Sequence, residues 1–143
     1  MHMLRRRLGD EKFLSLLREV SNRYRFSSIS TEQFRELAAT YMPPKSGDRT
    51  LESFFENWVY GVGIPTVKLT YSWRGTKLTG TLTQSNVADD FTAFVPVEVQ
   101  VDKGKTVYWL PTGSEPLPFS IPLKAAPAKV ALLSGDCLIA ASK

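Results

Sequence analysis

One cysteine, Cys137, and one histidine, His2, are all that this 143-residue sequence offers of the most versatile metal ligands. No disulfide can close within the chain, and a single cysteine leaves the compartment open, whether cytoplasmic, periplasmic or secreted. A structural zinc sphere of Cys and His needs four ligands, and the H-E-x-x-H pair of a catalytic zinc helix needs two histidines. A nucleophile–base relay would have to use His2, next to the first residue. Cys137 reads as a small, buried apolar residue.

Long hydrophobic runs are also missing. No stretch reaches the roughly 18 apolar residues that signal a membrane span. Arg5-Arg6-Arg7 is followed by charged residues rather than by the apolar core of a secretory signal. Nor is charge of one sign concentrated. The net charge is +4, with ten Lys and Arg against eight Asp and Glu in residues 1–65, and eight against six in residues 66–143. A nucleic-acid partner needs a clustered basic footprint, so none is expected. The arginine triplet reads as a solvated helix face, or as one that faced acidic partners. A glycine-rich phosphate loop is absent too. Gly61-Val62-Gly63 follows a helix rather than a strand, so it reads as helix termination, with Gly61 or Gly63 as a left-handed C-cap.

What remains is an ordinary globular composition, 43% hydrophobic. The first half carries helical signals. Met1 to Leu8 reads as the tail of an earlier helix. Asp10 is a good N-cap, and Phe13, Leu17, Val20 and Tyr24 then form a stripe that Leu14 and Leu16 widen. Ser30-Thr31-Glu32-Gln33 fits a capping box, with Ile29 and Phe34 as its hydrophobic staple. That helix runs to Tyr41 and stops at Pro43-Pro44. A third helix starts near Thr50 and presents Leu51, Phe54, Phe55, Trp58 and Val59 on one face.

After Pro65 the period changes from helical to two. Val67, Leu69, Tyr71 and Trp73 alternate with polar residues, and Arg74-Gly75-Thr76 turns the chain into a second strand. Val95 to Val101 and Thr106 to Leu110 form another hairpin. Leu117 to Ile121, interrupted by prolines, suits an edge. Lys129–Leu133 and Cys137–Ala141 are two short last strands. The fold class is therefore α+β. About three helices occupy residues 1–64, and an antiparallel β-sandwich of about seven strands occupies residues 65–143.

Chemistry is sparse in this pattern. Asp89-Asp90 is a carboxylate pair in a loop. One adjacent pair is thin support for a hard cation, and paired-carboxylate catalysis needs separation across a cleft. Tyr71, Trp73, Tyr108 and Trp109 fill the core or form an exposed aromatic platform, and periodicity alone does not choose.

Several short motifs nevertheless fall in a recognisable order. They are Met3-Leu4-Arg5, Leu8-Gly9-Asp10 with Phe13, Ser30-Thr31 with Phe34, Phe54-Phe55 with Trp58-Val59, and Gly63-Ile64-Pro65. This run, over about residues 1–73, resembles the end of the catalytic domain in the aminopeptidase N family of zinc metallopeptidases. Beyond residue 73 the likeness is one of pattern: in that family this strand opens a β-sandwich domain. The resemblance implies that residues 1–64 are the tail of a catalytic domain and residues 65–143 the sandwich behind it.

The family's zinc ligands, glutamate base, amino-terminus-binding motif and transition-state tyrosine lie before the part that matches Met1. No catalytic, cofactor-binding or metal residue is therefore assigned to this chain. The implied parent holds zinc and acts on peptides. The chain's implied partner is the rest of that catalytic domain, packed on the N-terminal helices. The alternative is a free-standing sandwich that binds peptide or glycan. An apolar patch around Leu4, Leu8 and Phe13 would speak for a lost neighbour. A concave patch around Trp73 or Trp109 would speak for a ligand.

Overall fold

Gly9 makes the first corner of the chain. Its φ of 85° is open to glycine and strained for other residues, and it ends α1 (His2–Leu8) and caps α2 (Asp10–Arg23). His2–Leu8 and Asp10–Arg23 are thus separate helices. In the computed structural model, residues 1–44, 46–61, 63–102, 104–133 and 140–142 are described. They divide into two compact units, Met1–Gly61 and Val62–Lys143.

In the first unit the described residues form four helices where the sequence suggests about three. Phe13 and Leu16 are the buried side chains of α2, while Leu14 and Leu17 are exposed. The stripe therefore runs through Leu16 rather than through Leu17 as expected. The capping box of α3 (Thr31–Ala39) forms as its sequence predicts. Gln33 N–H donates to Ser30 Oγ at 3.1 Å, and Ser30 N–H donates to Gln33 Oε1 at 2.9 Å.

The last helix departs from its pattern. Here α4 (Glu52–Phe55) lasts one turn and continues as a π-helical turn, Glu56–Tyr60. Its start is held by an unusual cap. Asp48 (φ 52°) and Leu51 (φ 57°) both sit in the left-handed region, where a non-glycine residue costs about 1–3 kcal/mol. Asp48 repays part of that cost by accepting hydrogen bonds from Ser53 N–H at 3.2 Å and Phe54 N–H at 2.8 Å. Leu51 is fully buried.

The expected left-handed C-cap is not formed. Gly61 is extended (φ −76°, ψ 161°). Its requirement is steric: a Cβ there would lie 2.5 Å from the Asn57 carbonyl oxygen. The unit's core joins Leu4 and Leu8 of α1, Phe13 and Leu16 of α2, Leu37 and Ala38 of α3, and Leu51 and Phe55 at α4.

In the second unit the expected sandwich of about seven antiparallel strands is corrected. The strands form two small sheets, each with three antiparallel strands, and a short terminal strand joins one of them in parallel. The first sheet has the order β5 (Leu117–Pro122), β2 (Lys77–Ser85), β1 (Thr66–Arg74), β7 (Ala140–Ser142). The second has the order β4 (Gly104–Thr112), β3 (Ala93–Val101), β6 (Lys129–Leu132).

The β1–β2 hairpin keeps one register from Thr66↔Ser85 to Arg74↔Lys77, and Gly75 (φ 60°) makes its turn. As its prolines predict, β5 is an edge strand. Pro96 lies in the central strand β3, but the ladder with β6 covers only Val97 to Gln100. Its missing N–H therefore falls outside that ladder. Cys137 lies outside the described residues, and so does most of the strand expected around it.

Alternation along the strands places Leu78 and Ile121 of the first sheet in one apolar cluster with Val97, Val99 and Val130 of the second. A polar clamp closes one end. Thr112 Oγ1 donates to Gln84 Oε1 at 2.8 Å, and Gln84 Nε2 donates to the Phe91 carbonyl at 2.6 Å. The amide of Gln84 thereby fixes the loop between β2 and β3.

Candidate functional site

The sequence left few candidates, and the fold scatters them. Among the described residues, no three His, Cys, Asp or Glu side chains converge as a metal site. His2 is exposed on α1. Asp89 and Asp90 are exposed in the turn before β3. Arg5, Arg6 and Arg7 do not act as one face. Arg5 Nε pairs with Asp10 Oδ1 at 2.8 Å across the Gly9 corner, whereas Arg7 is buried and donates to the Gly47 carbonyl at 2.9 Å.

The aromatic platform is not assembled either. Trp73 and Tyr108 are half-buried and pack against the apolar cluster of the two sheets. Trp109 is half-buried, and Tyr71 alone of the four is exposed. One concavity on these strands is an open groove of about 700 Å³ lined by Tyr71 together with Thr70, Ser72, Thr79 and Thr81. Its centre is neither tryptophan.

In the helical unit, the apolar patch that would speak for a lost neighbour does not lie at the residues named for it. Leu4, Leu8 and Phe13 are buried in the unit's own core. Exposed apolar side chains lie elsewhere, at Leu14 and Leu17 of α2, at Val59 and Tyr60 of the π turn, and at Phe26. Phe26 is 98% exposed, and the Arg25 guanidinium lies 5.3 Å from its ring centroid. No helix among the described residues is long and apolar enough to cross a membrane.

The most organised polar cluster surrounds Arg35. Its Nε donates to Glu32 Oε2 at 2.9 Å, its Nη1 donates to the Thr50 carbonyl at 2.7 Å, and Glu52 Oε1 lies 4.0 Å away. Tyr60 O–H donates to Glu32 Oε1 at 3.2 Å. The cluster ties the start of α3 to the start of α4 and to the π turn. Its one legible signal is the Glu32–Arg35 pair, three residues apart on one helix face. Glu52 and Tyr60 come from a distant part of the chain, so no spacing announces them. A second cluster joins α2 to the end of α3: Tyr41 O–H donates to Glu19, which also pairs with Arg23 Nη2 at 2.9 Å. The hydrogen bond to Glu19 raises the Tyr41 pKa, with desolvation adding to it.

These pairs set an acid limit. The hydrogen bond from Arg35 lowers the Glu32 pKa below its ordinary 4.5, and the bond from Arg5 lowers that of Asp10 below its ordinary 3.8. The folded state therefore holds these carboxylates ionised more strongly than the unfolded chain does. Their contribution is complete above about pH 4.5 and is lost as pH falls through the lowered values. Unfolding followed from pH 6 down to pH 2 should show falling stability over that range. Arg35→Met should flatten the Glu32 part. An unchanged profile in that variant would remove Glu32 from the account.

No family model matches the chain, and no curated protein matches it. Among solved structures the chain is similar to Legionella pneumophila aminopeptidase A in complex with aspartic acid, with a TM-score of 0.72 and 16% sequence identity. The likeness covers 99% of this chain and 17% of that one, so this chain spans about a sixth of that protein's length. This sequence thus shares its fold with a part of an aminopeptidase.

Proposed function

We propose that this chain is a non-catalytic portion of a zinc aminopeptidase of the aminopeptidase N type, and that it braces the domain that removes N-terminal residues from peptides. One observation carries the reading. Nearly the whole chain, 99%, is similar in fold to one 17% portion of an aminopeptidase. The order of short motifs from Met3-Leu4-Arg5 to Gly63-Ile64-Pro65 supports the same assignment from an independent direction. Among the described residues no cluster of three ligating side chains occurs, and the sequence holds a single histidine. In this reading zinc and its glutamate base belong to the remainder of the parent enzyme. The chain contributes two units, each with its own core.

The test starts from the reading frame in which this sequence is encoded. It should contain an H-E-x-x-H segment before Met1. The complete protein should hold one zinc and hydrolyse an aminoacyl-p-nitroanilide. Removal of residues 1–143 should cut that rate at least about tenfold, while the 143-residue chain alone shows none. A frame without such a segment, or full activity and stability after the deletion, would sink the proposal.

A further inference from the structure

One face of the first sheet gathers cations that the sequence spaces apart. Strands β1, β2 and β5 contain Lys68, Arg74 and Lys77 and no Asp or Glu, so they carry +3 on a chain whose net charge is +4. The three cations alternate with Leu69 and Trp73 of β1 and Leu78 of β2, which pack in the apolar cluster of the second unit. They therefore stand on the opposite face of the sheet. The register sets that face in rows. Arg74 lies opposite Lys77, Ser72 opposite Thr79, Thr70 opposite Thr81, and Lys68 opposite Thr83. Ser120 of β5 extends the Thr79 row. The two middle rows line the open groove of about 700 Å³. The cations bound that groove rather than line it, in the next rows of the same strands and on the same face. From Lys68 to Arg74 is six residues, or about 20 Å of strand.

Two features set this face apart from an ordinary solvated one. Arg74 and Lys77 are exposed and directly opposite each other. Like charges so placed weaken a ladder, and none of the three strands supplies a carboxylate to offset them. The hydroxyls between the cations are only partly used. Ser72 Oγ lies 3.3 Å from Thr79 Oγ1, and Thr70 Oγ1 donates to the Thr81 carbonyl at 3.4 Å. A hydroxyl has one donor and two acceptor sites, so these keep capacity for a ligand.

We infer that this face binds an acidic oligosaccharide laid along the strands. Its carboxylates meet Arg74 with Lys77 at one end and Lys68 at the other, and its hydroxyls meet the Ser and Thr rows between. Charge complementarity selects an anion. Three cations are a small footprint for a nucleic acid. The hydroxyl rows select a sugar over a peptide. Ser and Thr both donate and accept, as sugar hydroxyls do, whereas an extended peptide pairs its backbone with the edge of a sheet rather than with its face. The inference stands on the second unit alone and does not require the peptidase reading.

The probe is a fluorescently labelled galacturonate tetrasaccharide, titrated with the full 143-residue chain. It should bind at least tenfold more tightly than the neutral galactose tetrasaccharide and than an extended Glu-rich peptide of the same charge, and added salt should weaken it. Arg74→Gln with Lys77→Gln should weaken the uronate at least tenfold. Thr79→Val, which keeps the shape and removes one hydroxyl, should weaken it at least threefold. Lys129→Gln, which removes a cation from β6 in the other sheet, should change nothing. Circular dichroism verifies that each variant is folded. Equal binding of the acidic and neutral sugars, affinity untouched by the Arg74 and Lys77 changes, or no binding at all would overturn the assignment. A peptide that binds as tightly as the uronate, with Thr79→Val silent, would leave a plain polyanion surface and overturn the sugar.

Discussion

Phe55→Ala should lower the unfolding free energy of the helical unit by about 3–5 kcal/mol, the range for truncating a buried aromatic. Phe55 is 4% exposed and belongs to the unit's core. Its ring packs against Phe34 at 6.3 Å and Phe54 at 5.8 Å between centroids, in tilted arrangements. Truncation removes both aromatic contacts and leaves a cavity that cannot collapse easily, because the short turn of α4 is pinned by the Asp48 cap. A unit of 61 residues holds little reserve against such a loss. Val59→Ala is the matched control. Val59 is 49% exposed on the same segment, so it should stay within about 0.5 kcal/mol. Chemical denaturation followed at 222 nm reads both, as a change in midpoint at constant slope. A Phe55→Ala loss below 1 kcal/mol would mean that the core does not run through this ring.

The same segment marks where sequence reading stops. Leu51, Phe54, Phe55, Trp58 and Val59 have the spacing of one α-helical face, and a straight helix would have buried them together. The chain instead opens into a π turn at Glu56–Tyr60. A wider turn advances each residue less around the axis, so Trp58 ends half-buried and Val59 exposed. Nothing in the residue types announces that change. The two left-handed residues before it, Asp48 and Leu51, are equally silent, because neither is the glycine that such backbone favours. Local chemistry was legible where it is self-contained. The Ser30–Gln33 capping box, the Gly75 turn and the proline-marked edge strand all involve partners close in sequence or a single residue's own constraint.

What depends on distant partners was not legible. Arg5-Arg6-Arg7 reads as one charged face, yet Arg7 is drawn into the fold by a carbonyl forty residues away. The Arg35 cluster takes Glu52 and Tyr60 from beyond a loop. Whether Leu4, Leu8 and Phe13 lie in the core or on a surface patch was not legible for the same reason. Helical periodicity shows which residues seek burial, and the tertiary arrangement decides which find it within the unit. An open apolar groove lies on the rim of that core, at Met1, Phe54 and Val59, where satisfied and unsatisfied apolar surface meet.

Gly80→Leu should be as damaging in the second unit as Phe55→Ala is in the first, at about 3 kcal/mol, the upper end of ordinary overpacking. Gly80 sits in the middle strand of three, opposite Tyr71 of β1 and Phe119 of β5. A Cβ at this position would lie 2.3 Å from the Thr70 carbonyl oxygen and 2.6 Å from the Phe119 ring. The ring of Phe119 can swing aside, but the carbonyl belongs to the neighbouring strand and cannot yield without disturbing the β1–β2 ladder. A larger side chain therefore competes with the hydrogen bonds that set the register from Thr66 to Arg74. Leu78 and Leu82, buried on either side in β2, would be displaced with it.

Even Gly80→Ala should cost about 1 kcal/mol or more by the same contact. Gly104→Ala tests whether the effect is the contact or merely the loss of a glycine. A Cβ on Gly104 meets nothing within 4 Å, and its φ lies outside the left-handed region. Alanine there should be neutral or stabilise by about 0.4–1 kcal/mol, by restricting the unfolded chain. Thermal unfolding of the two alanine variants should move in opposite directions or differ clearly in size. Equal shifts would show that Gly80 is not a contact point between the strands. The three-strand register built across it would then need another explanation.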